Sequence, residues 1–328
     1  MGATEPGPLR DASGLRVPER LSQTGLYSDI SSRTVAPGRR FYRPKYELWS
    51  DDTEKNRWVY LPPGAQIDNT DRNHWSFPVG AQAWKEFKVG GRAIETRLVQ
   101  RVGPGRDEFL YATYQWREDG SDADYVATGV VNAGGTGHDI PSHGACLSCH
   151  GYLPEHVLGF SALLLSHEAD GVNLRALDAE RLLVVPEPND LQVPGDPIAQ
   201  EALGYLHSNC GSCHNQSADL QAPLTGVQLP NRFSLRVDVN AQRVGETDAC
   251  LTSLDVPMSY AQPASNIVTR VLGGGPERSG LYHRTALRGA TQMPPLATKV
   301  VDTLGLRSLS TWIAGLPGPA QGGCSALP

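Results

Sequence analysis

The feature that most constrains this 328-residue chain is a short pattern that occurs twice: Cys146-Leu147-Ser148-Cys149-His150 and Cys210-Gly211-Ser212-Cys213-His214. Two thiols three positions apart can each add to a vinyl group of a porphyrin, and the His after the second thiol is then held against the iron as its proximal ligand. With this chain's Cys and His content, one such pattern arises by chance roughly three times in a thousand sequences and two on the order of a few times in a million. The pair is therefore read as two haem c attachment sites. Paired C-x-x-C elements also build four-cysteine zinc sites, but those sit closer together and need no His after each pair. A thioredoxin-like redox pair or a disulfide framework would not repeat the His. The expected cofactors are two covalently bound haems with their iron, attached through Cys146, Cys149, Cys210 and Cys213, with His150 and His214 as proximal ligands.

A proximal His leaves one axial position, whose occupant decides between electron transfer and chemistry. For the second haem the candidate is Met293 in Gln292-Met293-Pro294-Pro295-Leu296, where two prolines hold the loop extended. A core-filling Met is the alternative. For the first haem the candidates are His138, His167, His74, His156, His207 and Met258, or an open position, with His138 and His167 leading. His143 lies too close to Cys146 to reach the opposite face of a porphyrin. His207, just before the second motif, is instead a candidate donor to a propionate. Cys250 and Cys324 remain, either paired with each other outside the cytoplasm or present as two separate thiols.

Along the chain, residues 1–45 are rich in Pro, Gly, Ser and Arg without periodicity and read as an extended arm or a partly ordered leader. Residues 46–135 hold five of the six Trp among strand-like runs, including a hairpin over Trp84–Val89, Gly90-Gly91 and Arg92–Val102, and a further strand over Phe109–Trp116. The tryptophans are read as core rather than as a ligand site. Lys85, Glu86, Glu95 and Arg97 are read as a solvent face or one structural ion pair. Residues 136–190 make a first haem c unit, with a helix expected over Leu153–Leu165 packing on the porphyrin. Residues 191–328 make a second haem c domain, entered by a helix over Ala199–His207, interrupted by a β-hairpin at about 220–262 and closed by a helix from Asp302, its N-cap, to Leu316. The expected fold is α+β and multidomain: an N-terminal antiparallel β-sandwich-like domain followed by mainly α-helical cytochrome c-type haem domains.

Net charge is −6 with no basic block, which argues against nucleic acid and anionic membrane surfaces as partners, and an acidic face suits a basic redox partner. No apolar run approaches membrane-spanning length, and the first residues lack the charged and apolar regions of a secretory signal. Because c-type haem is attached outside the cytoplasmic membrane in bacteria, a periplasmic or extracellular location is expected. A signal or lipoprotein anchor is then expected to have been removed, with Met1 foreign to the mature chain.

Tyr46-Glu47-Leu48-Trp49-Ser50-Asp51, Trp75-Ser76-Phe77-Pro78-Val79-Gly80, Trp84-Lys85-Glu86-Phe87 and Glu95-Thr96-Arg97-Leu98 follow one another in an order that resembles a family of bacterial extracytoplasmic dihaem c-type cytochromes. His138-Asp139-Ile140-Pro141, Val157-Leu158-Gly159-Phe160, Tyr205-Leu206-His207, Gln292-Met293-Pro294-Pro295-Leu296 and Trp312-Ile313 extend the resemblance from Arg40 to Leu316. It supports Met293 by position and implies redox-protein partners, some relatives being linked to quinoprotein sugar dehydrogenases of the periplasm. The expected function is single-electron transfer between redox partners. The alternative is a dihaem oxidase or peroxidase with an open coordination position at the first haem.

Overall fold

Alternation of side chains along residues 54–116 builds the central element of the molecule. The computed structural model describes residues 9–10, 14–151, 153, 155–216, 233–262 and 266–328. A short hairpin of β1 (Tyr27–Asp29) and β2 (Thr34–Val35) precedes a six-stranded antiparallel meander. The meander runs β3 (Arg40–Phe41), β4 (Glu54–Tyr60), β5 (Gln82–Val89), β6 (Arg92–Arg101), β7 (Phe109–Trp116) and β8 (Ala123–Tyr125), each strand bonded to the next. Between β5 and β6 the chain reverses on Gly90 and Gly91, with φ of 56° and 75°. Only glycine adopts two successive left-handed positions without strain, so the expected hairpin forms where that dipeptide allows it.

One face of the sheet presents Trp58, Trp84, Leu98, Ala112, Tyr114 and Trp116. The arm closes this face with Val17, Leu21, Leu26 and Tyr27, and the Trp84 indole N–H donates to Thr24 Oγ1 at 3.1 Å. Burying a side chain of this size contributes about 2 to 3 kcal/mol, so the arm and the tryptophan face hold each other in place. Trp75 and Trp116 are buried as well, in keeping with the core reading.

The opposite face leads into a larger core in which Val59, Ala83 and Val99 of the sheet meet Leu163, Leu203, Leu206, Trp312 and Ile313 of the helices. The helices are α1 (His143–His150), α2 (Ala162–Leu165), α3 (Leu174–Ala179), α4 (Pro197–Asn209), α5 (Asp248–Leu251), α6 (Gly280–Ala286) and α7 (Thr303–Gly315). Strands β9 (Pro257–Gln262) and β10 (Ile267–Thr269) pair between α5 and α6. Asp196 caps α4 and Asp302 caps α7, each accepting a backbone N–H three residues on, as the sequence pattern at Asp302 predicted.

The expectation of mainly α-helical haem domains behind a β-sandwich is overturned. The main extended part is one six-stranded sheet, accompanied by the β1–β2 and β9–β10 pairs, and among the described residues only α4 and α7 run to 13 residues, the others being one or two turns long. The physical reason is the shared core: helices that pack on a sheet face need not be long enough to enclose a core of their own. The helix expected over Leu153–Leu165 reduces to α2, because His156 takes a left-handed φ of 57° and breaks the run.

Of the hairpin expected at about 220–262, residues 220–232 lie outside the described residues, and among the described residues Phe233 to Val239 pairs with no strand. Its apolar side chains still alternate inward, but its N–H groups go elsewhere. Leu235 donates to the His214 carbonyl, Val237 to His207 Nδ1 and Val239 to Asn73 Oδ1. A two-stranded pairing forms instead between β9 and β10.

Cys250 of α5 and Cys324 form a disulfide, with Cα atoms 5.9 Å apart and a sequence separation of 74 positions. Closing a loop of that length stabilises by about 4 kcal/mol in the chain-entropy model. The Cys250→Ala/Cys324→Ala protein is expected to unfold at clearly lower urea concentration than the parent. Reducing agent should lower the parent's midpoint to that of the variant and leave the variant unchanged.

Candidate functional site

The first C-x-x-C-H motif lies on α1, which packs against β7. The Cys146 thiol donates to the Ser142 carbonyl at 3.6 Å, and the His143 ring nitrogen Nδ1 meets the Tyr111 carbonyl at 3.2 Å. The second motif is the continuation of α4. The Cys210 N–H bonds the Leu206 carbonyl, and the N–H groups of Cys213 and His214 both bond the Cys210 carbonyl, so the helical path tightens through the motif. Gly211 sits where a Cβ would come within 2.5 Å of the His207 carbonyl, which explains the glycine inside this motif. Asn215 then closes the turn with its amide on the Gly211 and Ser212 carbonyls at 3.0 and 2.9 Å.

The two motifs, 64 positions apart in sequence, touch. The Cys213 thiol donates to the Ser148 carbonyl at 3.4 Å. The neighbouring Cys213 and burial push the Cys149 thiol well above its ordinary pKa, while the neighbouring Cys149 lowers Cys213. Burial pushes Cys210 up to about 12 and raises Cys146. All four motif thiols are free and half-buried. Among the described residues no group of three His, Cys, Asp or Glu side chains converges as a metal site, which is the arrangement that the zinc alternative requires.

Both motif histidines are held neutral. Burial lowers His150 to about 4, with Arg97 and Lys85 adding to the effect, and burial followed by Arg284 lowers His214 to about 4. The His150 ring donates Nδ1–H to the His156 carbonyl at 2.6 Å, which fixes the tautomer with its lone pair on Nε2. A neutral imidazole anchored through Nδ1 is the form that ligates iron. His214 stands edge-on to Phe233, with ring centroids 4.8 Å apart. Free thiols, two neutral imidazoles, that of His150 oriented through Nδ1, and the spacing within each motif form a donor set that fits haem c.

Compared with known proteins, the chain matches no family model, no curated protein and no solved structure.

The other candidates divide by position. Met293 donates its N–H to the Arg284 carbonyl on α6, the helix whose Arg284 acts on His214, so its loop is tied to the element beside the second motif. Gln292 holds that loop by donating to the Pro294 and Thr298 carbonyls, both at 2.9 Å. His138 is buried with Nε2 at 2.7 Å from Glu95 Oε2 and its ring beside Phe87. His167 lies after α2, its Nδ1 accepting from Ala169 N–H at 3.1 Å. His156 meets the Tyr111 hydroxyl through Nδ1 at 2.7 Å and stacks on Phe109. His74 pairs with Asp71, and Met258 packs its sulfur against Gly280.

Sequence reasoning missed the contribution of the sheet. Glu86 and Glu95 are buried rather than solvent-facing, the structural ion pair expected among these residues forms between Glu95 and Arg97, and His138 shares Glu95. Tyr111, whose ring centroid lies 5.3 Å from that of His150, and Thr113 also face the first motif. Their only sequence signal was the alternation along β7, which tells two faces apart without saying what each one meets.

His207 accepts the Val237 N–H and is lowered by burial, then by Arg236, to about 3. The folded protein leaves it neutral while the unfolded chain protonates it below about pH 6.5, so its contribution to stability falls as pH drops from about 6.5 toward 3. His207→Asn is expected to flatten the dependence of the urea midpoint on pH between 6 and 4 by about one proton. An unchanged slope would mean that His207 takes up its proton in the folded state.

Proposed function

We propose that this chain is a dihaem c-type cytochrome of the extracytoplasmic space that passes single electrons between redox proteins. The observation that carries the reading is the contact between the motifs. Cys213 of the second motif donates to the carbonyl of Ser148 in the first, so two attachment points, each followed by a neutral imidazole, belong to one locus. Haem c supplies reversible one-electron chemistry when bound. The chain contributes four free thiols for thioether links, His150 and His214 as proximal ligands, and Met293 as a thioether ligand of the second iron. His/Met ligation favours the ferrous state and raises the potential, which suits a carrier.

Two further observations support this setting. The Cys250–Cys324 disulfide suits an oxidising compartment. Among the described residues no helix is long and apolar enough to cross a membrane. The net charge of −6 suits a basic partner, and the family resemblance points to a periplasmic quinoprotein dehydrogenase as donor.

A second reading, an oxidase or peroxidase with an open position at the first haem, draws on one observation. One of the two leading distal candidates, His138, already commits Nε2 to Glu95. A high-spin ferric component that binds cyanide rapidly would favour it over the carrier.

Acid-acetone extraction is expected to leave the pigment on the polypeptide. Cys146→Ala/Cys149→Ala and Cys210→Ala/Cys213→Ala should each halve the covalent haem content. Met293→Ala should abolish the weak far-red sulfur-to-iron band and lower the potential of the second haem. Complete loss of pigment on extraction, or zinc in place of iron, would overturn the reading.

A further inference from the structure

The sheet face that meets the first motif carries an unusual row of charge. Arg57 of β4 stands directly opposite Lys85 of β5, and Lys85 directly opposite Arg97 of β6. Lys55 lies two positions from Arg57 on the same face, opposite Phe87. Like charges directly opposite on neighbouring strands repel, and a row of three is not a neutral way to fill a sheet. Two carboxylates contact these four cations: Glu47 meets Arg57 at 3.0 Å, and Glu95 holds Arg97 while also accepting from His138. Among the described residues Lys55 and Lys85 have no carboxylate within ion-pair distance, although Glu47 attracts both from further away and Asp52 and Asp302 attract Lys55.

Arg57 shows the shortfall most directly. Its side chain is 3% exposed, Nη2 is taken by Glu47, and Nη1 is buried with no hydrogen-bond partner. A buried guanidinium nitrogen without an acceptor is costly, and such a group is kept where an acceptor arrives from outside the chain. Loss of hydration and the nearby Arg57 and Arg97 push the Lys85 ammonium well below its ordinary pKa, which shows the same missing anion from the other side.

The row also leads to a definite place. Thr113 stands opposite Arg97 in register on β7, the strand that α1 packs against, and the charges of Arg97 and Lys85 act on His150. Arg97 is held in orientation by Glu95 and by stacking 4.3 Å over Phe87.

We propose that Arg57, Lys85 and Arg97, with Lys55 beside them, form the carboxylate cradle of the first attachment site and take the two propionates of the porphyrin held by Cys146 and Cys149. The assignment rests on the dihaem reading and deepens it. Four cations against two contacting carboxylates leave an excess matched by two propionates, and Arg57 Nη1 gains its acceptor.

The cradle makes a prediction that a merely structural role does not. With the porphyrin present the row stabilises, and without it the row repels itself. Lys85→Met is therefore expected to lower the urea midpoint of the haem-loaded protein and to raise it in a Cys146→Ala/Cys149→Ala background shown to carry one haem. In the loaded protein it should also lower the ferrous-to-ferric ratio of the first haem about tenfold at the wild-type midpoint potential, equivalent to about 59 mV. Lys55→Gln, at a half-exposed position, should give the same pattern of signs and serves if Lys85→Met does not fold.

A change of the same sign in both backgrounds, or an unaltered potential, overturns the cradle. Covalent haem content, measured first, separates the two levels: no covalent haem removes the dihaem reading and the porphyrin as the source of carboxylates. Two covalent haems with unaltered signs remove the cradle alone. Succinate that stabilises the Cys146→Ala/Cys149→Ala protein, but not its Lys85→Met version, together with an unaltered potential in the loaded protein, would reassign the row to a free dicarboxylate.

Discussion

The contact between the two C-x-x-C-H motifs is the constraint on which the rest of the arrangement depends. For Cys213 to meet the Ser148 carbonyl, α1 must lie on β7 and the end of α4 must arrive at the same point from the other side of a long stretch of chain. The large core makes this rigid: the sheet residues Val59, Ala83 and Val99 pack in one body with Leu203 and Leu206 of α4 and with Trp312 and Ile313 of α7. Close-packed interiors transmit position with little slack, so the sheet sets where the helix that bears the second motif can end.

The sheet divides its labour between its faces. The face bearing Trp84 and Trp116 is closed by the arm and serves stability. The other combines apolar packing at one end with Arg57, Lys85, Arg97 and the Glu95–His138 pair at the other. A chain designed only to fold would avoid three opposed cations and a buried unpaired guanidinium nitrogen, and departures of this kind collect where function demands them. In this protein the departure lies beside the first motif and not on a random part of the surface.

The extended segment from Phe233 to Val239 shows why local pattern can be read correctly and still assigned to the wrong structure. Its alternation was legible, and Leu235, Val237 and Val239 are buried. Yet alternation reports only which side chains point inward, not where the backbone donors go. Here they satisfy the His214 carbonyl, His207 Nδ1 and Asn73, so the segment clamps the second motif instead of pairing with a strand. The short helices between His143 and Ala286 were misjudged for a related reason, since helix length depends on what the apolar face packs against.

By itself the sequence determined which groups meet within each motif, because two thiols and an imidazole at C-x-x-C-H spacing are brought together by a single helical turn and need no distant residue. It also determined the β5–β6 hairpin through its Gly-Gly turn and the start of α7 through Asp302, both interactions confined to a few positions. Only the tertiary structure decided that the two motifs meet, that Cys250 pairs with Cys324, that His138 belongs to Glu95, and that Arg57, Lys85 and Arg97 form one row. Each of these joins groups far apart in the chain. Strand register and core packing, rather than any local preference, bring them to the same place.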